Sequence, residues 1–135
     1  MACACSPTPP RAWARAGGEG DDTLIGGEGD DHVVGGAGTD TVSYLYAVRG
    51  LTISLAGGTA TDGLYDNDTL IDIETVTGSN FNDSIEGNDA ANRLEGRGGN
   101  DTLTGDYHPG QVTIDHFFFD ATTMGGIDTI TDFTD

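Results

Sequence analysis

GGEGDDTLI, GGEGDDHVV and GGAGTDTVS, residues 17–25, 26–34 and 35–43, follow one another without a gap. Each nine has Gly at its first, second and fourth places, Asp at the sixth and one apolar residue at the eighth. Glycine reaches positive φ without steric cost, so the first six residues can turn tightly and aim backbone carbonyls at one point. The last three are β-formers around a central apolar side chain, which suits a very short strand facing inward. Turn plus strand makes half a coil, so two nines close one coil and equivalent turns recur every eighteen residues. Asp22 and Asp40 stand at that spacing, whereas Asp31 faces the opposite edge, with Trp13 and Arg49 at its eighteen-residue partner positions. The predicted fold is all-β: a parallel β-roll (β-solenoid) of short strands joined by Gly/Asp-rich turns.

Stacked carboxylates about 4 Å apart repel by roughly 4 kcal/mol at an effective dielectric near ~20, so a positive charge is needed between them. Asp carboxylates with backbone carbonyls form an all-oxygen donor set, which selects a hard cation, and flexible high coordination favours Ca²⁺ over Mg²⁺. The candidate ligands of the first block are Gly18, Gly20, Asp22, Gly27, Gly29, Asp31, Gly36, Gly38 and Asp40. A second block, GSNFNDSIE, GNDAANRLE and GRGGNDTLT, fills residues 78–104, preceded by Glu74-Thr-Val-Thr77 as an acidic place and a strand. It is out of phase with the first, because the starts at 17 and 78 do not differ by a multiple of nine. Asp83 and Asp101 form its eighteen-residue pair, and Gly98 belongs to the flexible turn 96–101. Asn92 stands where Asp is expected, with Glu74 eighteen residues before it. Several ions are expected.

The chain has 135 residues, 23 acidic against five basic, and a formal net charge of −18. That balance argues against nucleic acid or an anionic membrane as partner, because phosphates would be repelled. The clear inward residues, Leu24, Val33, Val42, Leu70, Val76, Ile85, Leu94, Leu103 and Ile130, make a thin core. The expectation is a chain that is unfolded without calcium and folded with it.

Residues 1–16, MACACSPTPPRAWARA, differ from the rest and read as a disordered leader or linker outside the fold. They have no apolar run long enough for a membrane span or a secretory h-region. Cys3 and Cys5 have no His or second Cys pair nearby, which argues against zinc. The domain at 17–135 then divides into a repeat block at 17–43, an insertion at 44–73, a repeat block at 74–104 and an irregular part at 105–135. In the insertion Leu51–Leu55 alternates like a half-buried strand, Ala56–Ala60 reads as a turn, and Tyr44, Leu45, Tyr46 and Val48 are expected to pack over the end of the first roll. Asp62, Asp66, Asp68 and Asp72 miss the EF-hand spacing and read as turn residues on a solvated face. Phe117–Phe119 is expected to bury against the last coil, and Asp128–Phe133 to form one more short strand. His32 occupies an outward strand place, and His108 and His116 lie in separate irregular segments. No HExxH or GxSxG is present, so no catalytic residue is assigned.

The nines resemble the RTX, or hemolysin-type calcium-binding, repeat family. The spacer GLTISLAGGTATDG with DTLIDIETVTGS is similar to that of many bacterial RTX exoproteins, and FFFDATTMGGIDTITDF to the terminal portion of serralysin-type C-terminal domains. The resemblance implies a parallel β-roll with calcium between its turns. It also implies export by a type I secretion apparatus, a secreted location, and a C-terminal module linked to a catalytic or toxin domain outside this chain. The alternatives are a spacer of an adhesin or surface-layer protein, and a fragment of a secreted protease, lipase or epimerase.

Overall fold

The computed structural model describes residues 14–62, 66–105, 114–119 and 126–131. Among them are thirteen strands and no helix. The first block forms β1 (Ala14–Glu19), β2 (Thr23–Ile25), β3 (His32–Ala37) and β4 (Thr41–Ser43). The insertion forms β5 (Thr52–Ser54), β6 (Thr59–Thr61) and β7 (Asn67–Ile71). Then follow β8 (Thr75–Thr77), β9 (Ser84–Glu86), β10 (Arg93–Glu95), β11 (Thr102–Thr104), β12 (His116–Phe118) and β13 (Thr129–Ile130).

Outside the insertion, successive strands alternate between two sheets. The larger runs β1-β3-β7-β6-β5-β9-β11-β13 and the smaller runs β12-β10-β8-β4-β2. Every pairing is parallel except those of β6, which is antiparallel to both β5 and β7. Within each block the pairs are eighteen apart, as in Leu24 with Val42 and Leu103 with Ile85. Short parallel strands in two sheets, each with one inward side chain, are consistent with the β-roll expected from the nines.

The two blocks do not form separate rolls on either side of a spacer. In the smaller sheet β4 pairs directly with β8, Val42 opposite Val76. In the larger sheet the insertion supplies three strands: β7 continues from β3 with Val33 opposite Leu70, and β5 hands on to β9 with Ile53 opposite Ile85. Both blocks therefore share the same two sheets.

The core is a single file of inward side chains. Eight of the nine expected positions, Leu24, Val33, Val42, Leu70, Val76, Ile85, Leu94 and Leu103, are buried, and Tyr44, Leu51, Ile53, Leu55, Ala60 and Ile73 join them from the insertion; Ile130 is half-buried.

Four expectations are corrected. β1 begins at Ala14, inside the stretch read as leader, because Ala14 sits eighteen before His32 and pairs with it. The 56–60 stretch is a turn only to Gly58, after which β6 begins at Thr59. Tyr44 is buried, but Tyr46 and Val48 are 75% and 69% exposed. Of the three phenylalanines only Phe117 packs on the core, while Phe118 and Phe119 are exposed. Phe118 faces outward under the Arg93 guanidinium, 3.5 Å from its ring centre. Cys3, Cys5, His108 and the end of the strand expected at 128–133 lie outside the described residues.

Candidate metal centre

Each short strand starts from a turn, and the residues at the sixth place of the turns line up in two columns. Ahead of the smaller sheet stand Asp22, Asp40, Glu74, Asn92 and Asp115; ahead of the larger stand Asp31, Asp83, Asp101 and Asp128, with Asp68, the second residue of β7, level with Asp31. The Asp22 N–H donates to Asp40 Oδ1 at 2.9 Å, and the Asp40 N–H donates to Glu74 Oε2 at 2.9 Å. In the other column the Asp83 N–H donates to Asp101 Oδ1 at 2.8 Å, and the Asp101 N–H to Asp128 Oδ1 at 2.9 Å. One carboxylate oxygen is thus spent on linking coils.

The second oxygen decides the chemistry. Asp40 Oδ2 and Asp101 Oδ2 are buried and have no hydrogen-bond donor, in residues that are 0% and 1% exposed. Leaving a buried acceptor unsatisfied costs about 1–3 kcal/mol, more when it is charged. Burial holds Asp101 up from 3.8 to about 6, an effect offset in part by the hydrogen bond from Asp83. Among the described residues no three acidic, His or Cys side chains converge on one point. A cation here would be held by a pair of carboxylates together with backbone carbonyls, a donor set suited to a hard ion with high coordination.

The glycines make that set possible in two ways. A Cβ on Gly35 would run into the Asp72 carbonyl and lie 2.7 Å from Asp40 Oδ2, and one on Gly96 would strike Asp101 Oδ2. The first place of the nine is therefore glycine for space. Gly36 and Gly38 have φ of 114° and 148°, and a Cβ on either would meet the carbonyl of Gly18 or Gly20. The turn 35–40 lies directly on the turn 17–22, with the carbonyls of the lower turn facing the upper. Gly18, Gly20, Gly27 and Gly29 share the positive φ. In the turn 96–101 the left-handed places are Arg97, at φ 76°, and Gly99, at 116°, with Gly98 between them.

The turn 26–31 differs. Its partner is Asp68 of the insertion, whose Oδ1 accepts the Asp31 N–H at 2.8 Å, at a separation of 37 residues. Asp68 is 4% exposed, so it is no solvated turn residue. Its Oδ2 accepts the Tyr44 hydroxyl at 2.6 Å. Burial raises Asp68 to about 6, and burial followed by the Asp68 charge holds the Tyr44 phenol well above its ordinary range. The Gly29 N–H donates to Asp66 Oδ1 at 2.9 Å.

In the turn 78–83 both oxygens of Asp83 are occupied. Oδ1 accepts the Leu51 N–H at 2.8 Å and Oδ2 the Ser79 N–H at 2.6 Å, with the Ser79 hydroxyl 2.9 and 3.1 Å from the two. Burial still pushes Asp83 upward. Asn92 closes its own turn similarly: its Oδ1 accepts the Asn88 N–H at 2.6 Å and its amide donates to Asn88 Oδ1 at 3.1 Å.

Sequence reasoning missed the fifth place. Asp21 Oδ1 accepts the Thr39 N–H, Asp30 Oδ1 the Asn67 N–H, Asn82 Oδ1 the Asn100 N–H and Asn100 Oδ1 the Ile127 N–H, at 2.8–2.9 Å. These bonds run from the later coil to the earlier side chain, opposite in sense to those of the sixth place. The available signal was the recurrence of Asp or Asn at the fifth place in four of six nines.

Residues 16–43 and 77–106 match the model of the RTX calcium-binding nonapeptide repeat, in four copies. No curated protein matches the chain. A domain of such repeats is a structural calcium-binding module, and the matched segments contain the turns whose buried carboxylate oxygens call for a cation. The two blocks thus carry RTX calcium-binding nonapeptide repeats.

Proposed function

We propose that this chain is a calcium-folded module of a bacterial exoprotein exported by a type I apparatus, with any catalytic or toxin domain lying outside it. Ions are held between the turns 17–22 and 35–40, by Asp22, Asp40 and the carbonyls of Gly18 and Gly20, and at the turn 96–101, by Asp101 with the carbonyls around it. Gly27, Gly29, Gly36, Gly38, Gly98, Asp31, Asp83 and Asn92 shape or flank these places. The carrying observation is the pair of buried, donor-free oxygens on Asp40 and Asp101. Charge supports it, since a net −18 chain repels itself until cations neutralise it. Calcium is scarce in the cytosol and abundant outside, so the module would complete its folding only on emergence.

The test is a calcium titration of the whole chain followed by far-UV circular dichroism and calorimetry, with Mg²⁺ as control. A gain of β signal with Ca²⁺ and not with Mg²⁺ is expected. Absence of calorimetric binding would overturn the reading. Export is tested separately, by asking whether the chain leaves a cell only when a type I apparatus is supplied.

A further inference from the structure

The turns of this chain are of two kinds, and the kinds are not scattered. In 17–22, 35–40 and 96–101 the second and fourth places hold positive φ, and no side chain at the second place reaches the sixth. In 78–83 and 87–92 the second place is Ser79 or Asn88. Each uses its N–H to bind the sixth-place side chain and its own oxygen to accept the N–H of the fourth place, Phe81 at 3.0 Å and Ala90 at 3.0 Å. Such a turn is closed by donors the chain itself supplies. Tyr44 does the same for Asp68, its ring filling the space that a Cβ on Gly26 would need and its hydroxyl meeting the carboxylate.

The apolar core follows the same division. Of the fourteen buried core residues, ten lie between 44 and 95: Tyr44, Leu51, Ile53, Leu55, Ala60, Leu70, Ile73, Val76, Ile85 and Leu94. The first block contributes one per nine, Leu24, Val33 and Val42, and the part after 95 contributes Leu103. Where burial is dense the turns are self-closed; where it is sparse they are open-handed glycine turns with buried acceptors.

We infer that residues 44–95 form a calcium-independent seed, closed by Ser79, Asn88, Asn92 and Tyr44, onto which the calcium-requiring turns of 17–43 and 96–131 assemble when the ion arrives. The seed offers both growing edges. β7 presents an edge to β3 and β9 to β11 in the larger sheet, and β8 and β10 do so for β4 and β12 in the smaller. Glu74 and Asp83, which accept or donate across these boundaries, belong to the seed side.

The inference rests on calcium binding as proposed above, and hydrogen exchange of the whole chain read by mass spectrometry separates the two. In chelator, amides of 67–77, 84–86 and 93–95 should exchange at least about tenfold more slowly than those of 23–43 and 102–104, and calcium should then protect the second set. Ser79→Ala, which removes the hydroxyl bonded to Asp83 and to the Phe81 N–H, should lower protection of 84–86 in chelator while leaving the number of ions counted by calorimetry unchanged. If calcium binds but all segments gain protection together, or if chelator leaves 67–95 unprotected, the seed is refuted and calcium binding stands. If calorimetry detects no binding, the functional reading fails as well.

Discussion

Residues 17–43 and 74–104 carry the same nine-residue pattern, yet they solve the turn differently. The first block spends glycine at the first, second and fourth places of every nine, and so is uniform. The second replaces the second-place glycine by Ser79, Asn88 and Arg97, and two of these close the turn by side-chain hydrogen bonds. The glycine turn 35–40 leaves Asp40 Oδ2 buried without a donor, whereas the Ser79 and Asn88 turns supply donors of their own. Periodicity therefore specifies where the coils lie, and the exceptions to it specify what holds each one.

The contrast can be broken most strongly at the core. Leu94→Ala should cost about 2–5 kcal/mol by opening a cavity at a fully buried place, and it should lower stability in calcium and in chelator alike. Leu24→Ala should be visible in calcium only; denaturant melts of both variants with and without the ion check this. Next in size, Asp40→Ala should remove one ion, a loss of about 2.7 kcal/mol at a hundredfold excess of calcium over Kd. Calorimetric stoichiometry unchanged in that variant would remove the assignment. Tyr44→Phe should cost about 1–3 kcal/mol by leaving Asp68 Oδ2 without its donor, and should do so even in chelator.

Acidification sharpens the comparison. In the metal-free fold burial raises Asp68 from 3.8 to about 6, so between these values the folded chain binds more protons than the unfolded one. Metal-free stability should therefore rise as pH falls through about 6 towards about 4, and be lost again as pH rises. Calcium needs the ionised Asp101, whose carboxyl burial pushes up to about 6, so affinity at its turn should fall as pH drops through that value. Titrations at two pH values read both signs. The smallest effect is expected at Asn82→Ala, where loss of one exposed link to the Asn100 N–H should cost about 0.5–1.5 kcal/mol and leave the ion count unchanged.

Much of this was legible in advance. Gly-x-Gly-x-Asp with one apolar residue two places on put Leu24 and Val42 inside, the nine-residue period added Leu94 and Leu103, and the eighteen-residue rule paired Asp22 with Asp40 and Asp83 with Asp101. The rule failed at Asp31, whose partner lies 37 residues on, because hairpin strands were inserted into one sheet and none into the other. Counting along the chain cannot show that. Asp68 looked like one more acidic turn residue because its burial depends on Tyr44, 24 residues away. Asp128 escaped the eighteen-residue rule too, standing 27 residues beyond Asp101.

The antiparallel strand β6 has a consequence beyond its own pairing. The six residues at 17–22 and at 26–31 are identical, so a perfect lattice of such turns has translational symmetry, and a slide by whole nines costs almost nothing in glycine-rich strands. Among the described residues the antiparallel β5-β6-β7 passage has no copy. Only one alignment brings Asp31 to Asp68 and Asp40 to Glu74 at once, across offsets of 37 and 34 residues. The irregular segment thus acts as an origin mark, giving every otherwise interchangeable coil an address.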